Sequence, residues 1–363
     1  MNDVSVLRKS AGYVGHRLRE VAIWPSVLRH RARGSSTPSV VFLPSAAREG
    51  ASLLRAWAIA GALRQRGWEA ITLPAQLELG QRNRLLRAIA PDVIVFQQCR
   101  HQFNDPDFTL GYRHVLDIDD ADFHDPAMES RLIRTCQGAA GIIAGSRYIK
   151  SWCEQYNQTV QIVWTGTPFT PGARPSHAMR PPVVAWAQSA PLGYHMELDF
   201  VVALDHRLRV AGSSHTVRLY GVNSPVEQDA VRTRFGAEAK LDLRPTLAYD
   251  DFLMSLRDVA VGLSPIITQS PFSRGKSFGK ILGYLDAAVP VVASDEADHG
   301  LFFDPDSGVI SNDITVWQTA VMHLLSDPAA RDAMAAQATT AMMAKLTTEA
   351  AADQVDAFLR TLL

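Results

Sequence analysis

Short apolar runs recur along the chain and alternate with stretches of helical period. The runs 39–45 (SVVFLPS), 69–75 (EAITLPA), 92–98 (DVIVFQQ), 114–120 (HVLDIDD), 141–146 (GIIAGS) and 160–166 (VQIVWTG) predict six strands. Between most of them lie helical segments, among them 52–68, 82–90, 131–139 and 147–156. In the first of these Leu53, Leu54, Trp57, Ala58, Ala60 and Leu63 gather on one side. Near-continuous apolar strands joined by crossover helices predict a parallel sheet covered on both faces.

The segment 167–182, TPFTPGARPSHAMRPP, interrupts this alternation as a proline-rich linker. The pattern then restarts with VVAWAQS (183–189), TVRLYGV (216–222), KLDLRPT (240–246), VAVGLSP (259–265), VPVVASD (289–295) and SGVIS (307–311). Helices are predicted over 196–209, 226–235, 249–257 and near Trp317, and the tail from Asp327 is almost wholly helical. The predicted organisation is a leader 1–36, an α/β Rossmann-like domain 37–168, a linker 169–182, a second such domain 183–345, and a C-terminal helix 346–363 that packs back on the first domain.

Composition adds constraints. With 363 residues, 47% hydrophobic, 20% charged and a net charge of −1, the chain has no global field to recruit nucleic acid. Cys99, Cys136 and Cys153 are odd in number and lack a CxxC spacing, against a disulfide framework or a cysteine zinc site. No run reaches the roughly 18 apolar residues of a membrane span, and the start has no apolar signal core. The leader is basic: Arg8, Lys9, Arg17, Arg19, Arg29, Arg31 and Arg33 oppose only Asp3 and Glu20, interleaved with Leu7, Val14, Leu18, Val21, Trp24 and Leu28. Such a segment fits an anionic membrane surface, a docking site on its own protein, or a solvated extension.

In doubly wound domains ligands sit beyond the carboxyl ends of the strands. That directs attention to loops near 45–51, 98–104, 118–126, 165–168, 187–194, 221–225, 264–277 and 294–300. In SRGKSFGKILGYLDAAVPVVASD (273–295), Phe278, Ile281, Leu282 and Leu285 form an apolar stripe, with Lys276, Lys280, Gly283 and Ala287 opposite. Lysines opposite a stripe are ordinarily solvated. Here they crowd a helix start that already disfavours cations, beside small residues that leave space. A diphosphate at that helix N-terminus accounts for both features. The acidic run DIDDADFHD supplies Asp119, Asp120 and His124 as candidate bases, while Arg48, Glu49 and Gly50 form a candidate acceptor loop.

KSFGKILGYLDAAVPVVASD resembles the donor segment of GT-B glycosyltransferases of the group-one, retaining-type branch, and other pieces resemble it in order. They are PSVVFLPSAAREGASLLRAWAIAGALRQRGWEAITL, RHVLDIDDADFHD, AAGIIAGSRYIKSWC, DDFLMSLRDVAVGLSPI and SDPAARDAMAAQA. The resemblance implies two Rossmann-like domains facing each other across a cleft, and transfer of a sugar from a nucleotide-diphosphate donor to a saccharide, lipid-linked or other cell-envelope acceptor. It implies diphosphate binding by Gly275, Lys276, Ser277 and Lys280, and nucleotide contacts at Ser189, Gly221, Pro245 and Leu247. A hinge-side glycine falls at Gly166. No cofactor or metal and no nucleic-acid partner is implied, and the setting is cytoplasmic, peripheral to the inner face of the membrane.

The chain departs from the family pattern where it carries Gly275 and Gly283 in place of the donor-site glutamate pair, and Ala288 in place of a glycine. Three explanations stay open: another residue reads the ribose, the donor is unusual, or the site is impaired. A nucleotide-sugar epimerase on the same fold and a non-catalytic binding or scaffold protein are the alternatives. A dehydrogenase is weaker, since no GxGxxG follows the first strand.

Overall fold

A computed structural model describes residues 18–32, 36–169 and 174–363. Much of the basic leader and the middle of the proline-rich linker lie outside the described residues. The chain divides into two compact units, one comprising Met1–Gly145, Ile149–Val163 and Ala351–Leu363, the other Ser146–Tyr148 and Trp164–Ala350.

The first unit holds a six-stranded parallel sheet built from β1 (Ser39–Leu43), β2 (Glu69–Thr72), β3 (Val93–Gln97), β4 (His114–Ile118), β5 (Gly141–Ala144) and β6 (Val160–Ile162). Its strand order is β2-β1-β3-β4-β5-β6. Every residue of β1 and β3 is buried, as runs such as VVFL and VIVF require of strands covered on both faces. The C-terminal helix Thr348–Arg360 adds Ala351, Ala352, Val355 and Leu359 to this core. It is pinned by Trp68 Nε1 donating to Asp356 at 2.5 Å and by Arg66 donating to Asp353 at 2.8 Å.

The second unit repeats the plan with β7 (Val183–Trp186), β8 (Thr216–Leu219), β9 (Leu241–Leu243), β10 (Val261–Ser264), β11 (Val291–Ala293) and β12 (Val309–Ile310). The order is β12-β11-β10-β7-β8-β9, all parallel. Its core centres on Trp317, Val184, Val261 and Val292, packed by Leu198, Val201, Leu204 and Val321 from two helices.

Two predicted helices differ from expectation. The segment 52–68 opens with a π-helical turn, Leu53–Ala58, before a regular helix Ile59–Gln65. The donor segment is no continuous helix: a single turn Pro271–Arg274, an extended Ser277, a 3₁₀ turn Phe278–Lys280 and a short helix Leu282–Asp286. Gly275, Gly279 and Gly283 weaken helix propagation, so burial of Phe278, Ile281, Leu282 and Leu285 shapes the segment more than propensity does.

Candidate functional site

In the second sheet β7 and β10 are neighbours although three strands apart in sequence, and this is the switch point where chain connections diverge. A recess opens there, lined by Trp186, Ala187 and Gln188 at the end of β7, by Leu263–Ile266 at the end of β10, and by Tyr194, Glu197, Ser273, Lys276 and Lys280. Nearby, the Tyr284 hydroxyl accepts from Ala187 N at 2.7 Å and lies 3.0 Å from Ala185 O and 3.3 Å from Leu263 O, linking the ends of β7 and β10. Gly262 permits this, because a Cβ there would lie 2.6 Å from the Tyr284 ring. Burial pushes the Tyr284 phenol far above its ordinary pKa, so it stays neutral.

The two lysines converge on one aromatic face. Lys276 Nζ sits 4.2 Å from the Phe272 ring centre and 5.5 Å from that of Tyr194. Lys280 Nζ lies 6.0 Å from the Tyr194 ring centre and donates to Gln188 Oε1 at 2.6 Å. Each of these ring contacts is an attraction between an ammonium and the negative face of an aromatic ring. Ser277 Oγ lies 2.9 Å from Thr165 Oγ1, within the same unit. Arg274 turns elsewhere, to Glu296 at 3.4 Å and over the Tyr148 ring.

The expectation that Gly283 leaves ligand space vacant is overturned. A Cβ on Gly283 would lie 2.6 Å from Phe252 Cε1 and 2.9 Å from Leu256 Cδ1, so this face packs against the helix Tyr249–Ser255. Ala287 is buried as well. The broken helix rotates position 283 off the side that carries the lysines, which the uniform 100° step could not foresee.

The nucleotide candidates lie on loops leaving neighbouring strands. Ser189 follows β7 and donates its N–H to Gln188 Oε1 at 2.9 Å. Gly221 follows β8 at φ +78°, and a Cβ there would meet Gln188 O at 2.3 Å and Ser189 O at 2.4 Å. Glycine thus lets these two loops touch, for both conformational and steric reasons. Pro245 and Leu247 flank Thr246, whose N–H donates to Asn223 Oδ1 at 2.8 Å after β9. Gly166 abuts backbone too: its Cβ would lie 2.3 Å from Thr347 O, where Thr167 N donates to Leu346 O at 2.9 Å.

The first sheet changes direction between β1 and β3. Its switch point is occupied by side chains. Gln97 Oε1 accepts from Ser52 Oγ at 2.8 Å and from Ser45 N at 3.2 Å. Gln98 is held at φ +59°, an uncommon conformation for a residue with a Cβ, and donates to Asp119 Oδ1 at 2.6 Å. Arg55, on the π-helical turn, donates to Asp117 at 2.7 Å and to Val163 O at 3.0 Å. Burial raises the Asp119 carboxyl to about 6, with Arg55 opposing and Asp120 and Asp117 reinforcing the rise. Asp120 receives Arg100 Nη2 at 2.7 Å, and Arg100 also bridges Asp122.

His124 is exposed, its ring 4.7 Å from that of Phe123, and partial burial lowers its pKa. Arg48 lies over the Trp57 ring at 5.5 Å, Glu49 precedes the turn Gly50–Ser52, and Gly50 has φ +50°. Sequence reasoning missed Glu197, Gln188 and Tyr194 at the recess, although all follow β7 within eleven residues. Arg100, paired with Asp120 and Asp122, lies about twenty residues before them in the chain, which is a modest sequence signal. Among the described residues no cluster of His, Cys, Asp or Glu is placed to hold a metal ion.

No family model matches the chain, and no curated protein does. Solved structures do. Sucrose-phosphate synthase from Thermosynechococcus elongatus is 13% identical with a TM-score of 0.68, over 90% of this chain and 99% of that one. Anabaena HepE in complex with UDP and glucose is 14% identical with a TM-score of 0.63, over 90% and 100%. A structure described as a putative UDP-N-acetylglucosamine 2-epimerase from Listeria monocytogenes is 13% identical with a TM-score of 0.57, over 90% and 96%. At such identities the likeness establishes architecture. Two Rossmann-like domains, each on a six-stranded parallel sheet with flanking helices, make up a GT-B fold.

Proposed function

We propose that this chain is a glycosyltransferase of the group-one, retaining-type branch, moving a sugar from a nucleotide-diphosphate donor to a saccharide, lipid-linked or other cell-envelope acceptor. The observation that carries the reading is the recess between β7 and β10, where Lys276 and Lys280 share the face of Tyr194. A leaving diphosphate gains charge as the glycosidic bond breaks, and two ammonium groups on one wall of the recess would stabilise that charge where it develops. Ser189, Gly221, Pro245 and Leu247 would meet the nucleoside, and Arg48, Glu49 and Gly50 the acceptor. With retention, the diphosphate itself takes the acceptor proton. With inversion, Asp119 is favoured over Asp120 and His124, because its raised pKa suits a base near neutrality and Asp120 is held by Arg100. No step calls for a metal or cofactor.

Calorimetric titration with UDP, GDP, ADP and dTDP tests the reading. Tight binding of one of them, weakened at least tenfold in Lys276→Ala and Lys280→Ala, is the expected result. Silence across the panel sinks it and returns the scaffold reading. The likeness to the Listeria structure keeps the epimerase as a second reading. Product analysis of the donor incubated without acceptor separates the two.

The proposed setting is the inner face of the membrane. No helix among the described residues is long and apolar enough to cross a bilayer. The helix over residues 18–32 has an unusual sense: Glu20 faces inward onto Gln81 and Arg84, while Leu18, Val21 and Leu28 are 65%, 60% and 60% exposed. Helical steps place Ala22, Pro25 and Ala32 on that same outer side. Arg19, Arg29 and Arg31 accompany it. An apolar face among cations, on a chain of net charge −1, matches an anionic lipid surface. Sedimentation with phosphatidylglycerol vesicles is expected to carry the protein down, and Val21→Glu with Leu28→Glu to reduce binding more than tenfold. Equal binding to neutral vesicles, or concentration-dependent dimers with no vesicle binding, would overturn this placement.

A further inference from the structure

We propose that Glu197 reads a hydroxyl of the sugar nucleotide, supplying the carboxylate that the donor segment lacks at Gly275 and Gly283; this rests on the function proposed for the recess. Glu197 stands in the first turn of the helix His195–Val210, 3% exposed, and lines the recess with Lys276 and Lys280. It is the one acidic residue among those lining it. Its recorded hydrogen bond is a long one, Oε1 accepting from Ile267 N at 3.3 Å, and among the described residues it forms no ion pair. A carboxylate offers about four acceptor positions, and burying it with one long partner is unfavourable unless something else fills the rest.

The charges in the recess restrict what that partner can be. A diphosphate belongs against the two lysines and would be repelled by Glu197. The group reaching Glu197 is therefore a neutral donor from the same ligand, and a sugar nucleotide offers hydroxyls on the ribose and on the transferred sugar. Position 283 cannot serve this purpose, since Phe252 and Leu256 occupy the space a side chain there would need. The acid has moved from the donor segment to the helix after β7, on the opposite wall of the switch point.

The test uses UDP, GDP, ADP and dTDP and their glucose conjugates in calorimetry on the wild type, Glu197→Gln and Lys280→Ala. The glutamine keeps an acceptor for Ile267 N, and thermal unfolding within about 2 °C of wild type shows that the fold is retained. We expect Glu197→Gln to weaken the sugar conjugate at least tenfold. If the bare nucleoside diphosphate weakens equally, the hydroxyl is on the ribose; if it is unchanged, the hydroxyl is on the transferred sugar. A Glu197→Gln protein that binds the conjugate within twofold of wild type, while Lys280→Ala loses tenfold, overturns the role of Glu197 and leaves the transferase reading standing. A wild type that binds none of the eight compounds removes both.

Discussion

The two switch points of this molecule share a topology and differ in the side chains that line them. In the first domain, hydrogen bonds among Ser45, Ser52, Gln97 and Gln98, and the buried Arg55–Asp117 pair, gather beside the gap between β1 and β3. In the second, the gap between β7 and β10 is left as a recess with lysines, a tyrosine and a glutamate on its walls. The same topology therefore ends in a network of paired polar side chains in one half and in a recess in the other. Topology says where a ligand can go, and side-chain volume and pairing decide whether room is left for it.

Substitutions can break this contrast, beginning with the network. Arg55→Ala strips Asp117 of its buried partner and should cost about 3–5 kcal/mol, read from denaturant unfolding. A loss under 1 kcal/mol would mean that the network is not held by this pair. Introducing a carboxylate by Gly283→Glu should destabilise by about 3 kcal/mol, through overpacking against Phe252, and should not tighten nucleotide binding. Tighter binding in that variant would contradict the packing reported for this face.

Asp119→Asn should act in the opposite direction. The folded carboxyl titrates at about 6 against 3.8 in the unfolded chain, so its contribution is fully present below 3.8 and lost as pH rises to 6. The asparagine variant, neutral throughout, should match wild type near pH 4 and exceed it by about 3 kcal/mol at pH 7, at 1.4 kcal/mol per pH unit of displacement. Melting curves across pH 4–7 with no growing gap would refute it. The smallest expected effect is at Ala288, which sits at φ +51° where the family pattern has glycine. Ala288→Gly should stabilise by up to about 1 kcal/mol, relief of the left-handed strain outweighing the extra chain entropy. A lowered melting temperature would show that the methyl group packs usefully.

Much of the architecture was legible because parallel sheets write themselves plainly. SVVFL, VIVF and VVAW are too apolar and too short for anything but doubly covered strands, and the helices between them have clear period. The sequence marked Lys276 and Lys280 as cations at a helix start, whereas the segment around them is a 3₁₀ turn and a short helix from Leu282. Gly283 was misread for a related reason: the 100° step assumes an unbroken helix, and this segment turns at Ser277 and again after Lys280. Arg55 carried no signal at all, since its partner lies 62 residues away on β4.

The sequence by itself determined the strand–helix alternation, the two-part organisation and the polar residues at strand ends, because burial period and chain connectivity are local properties. Tertiary structure decided which of those residues meet: Arg55 with Asp117, Gln98 with Asp119, Lys280 with Gln188, Gly283 with Phe252. Pairing energies depend on distances of a few ångströms between segments far apart in the chain, and only packing sets those distances.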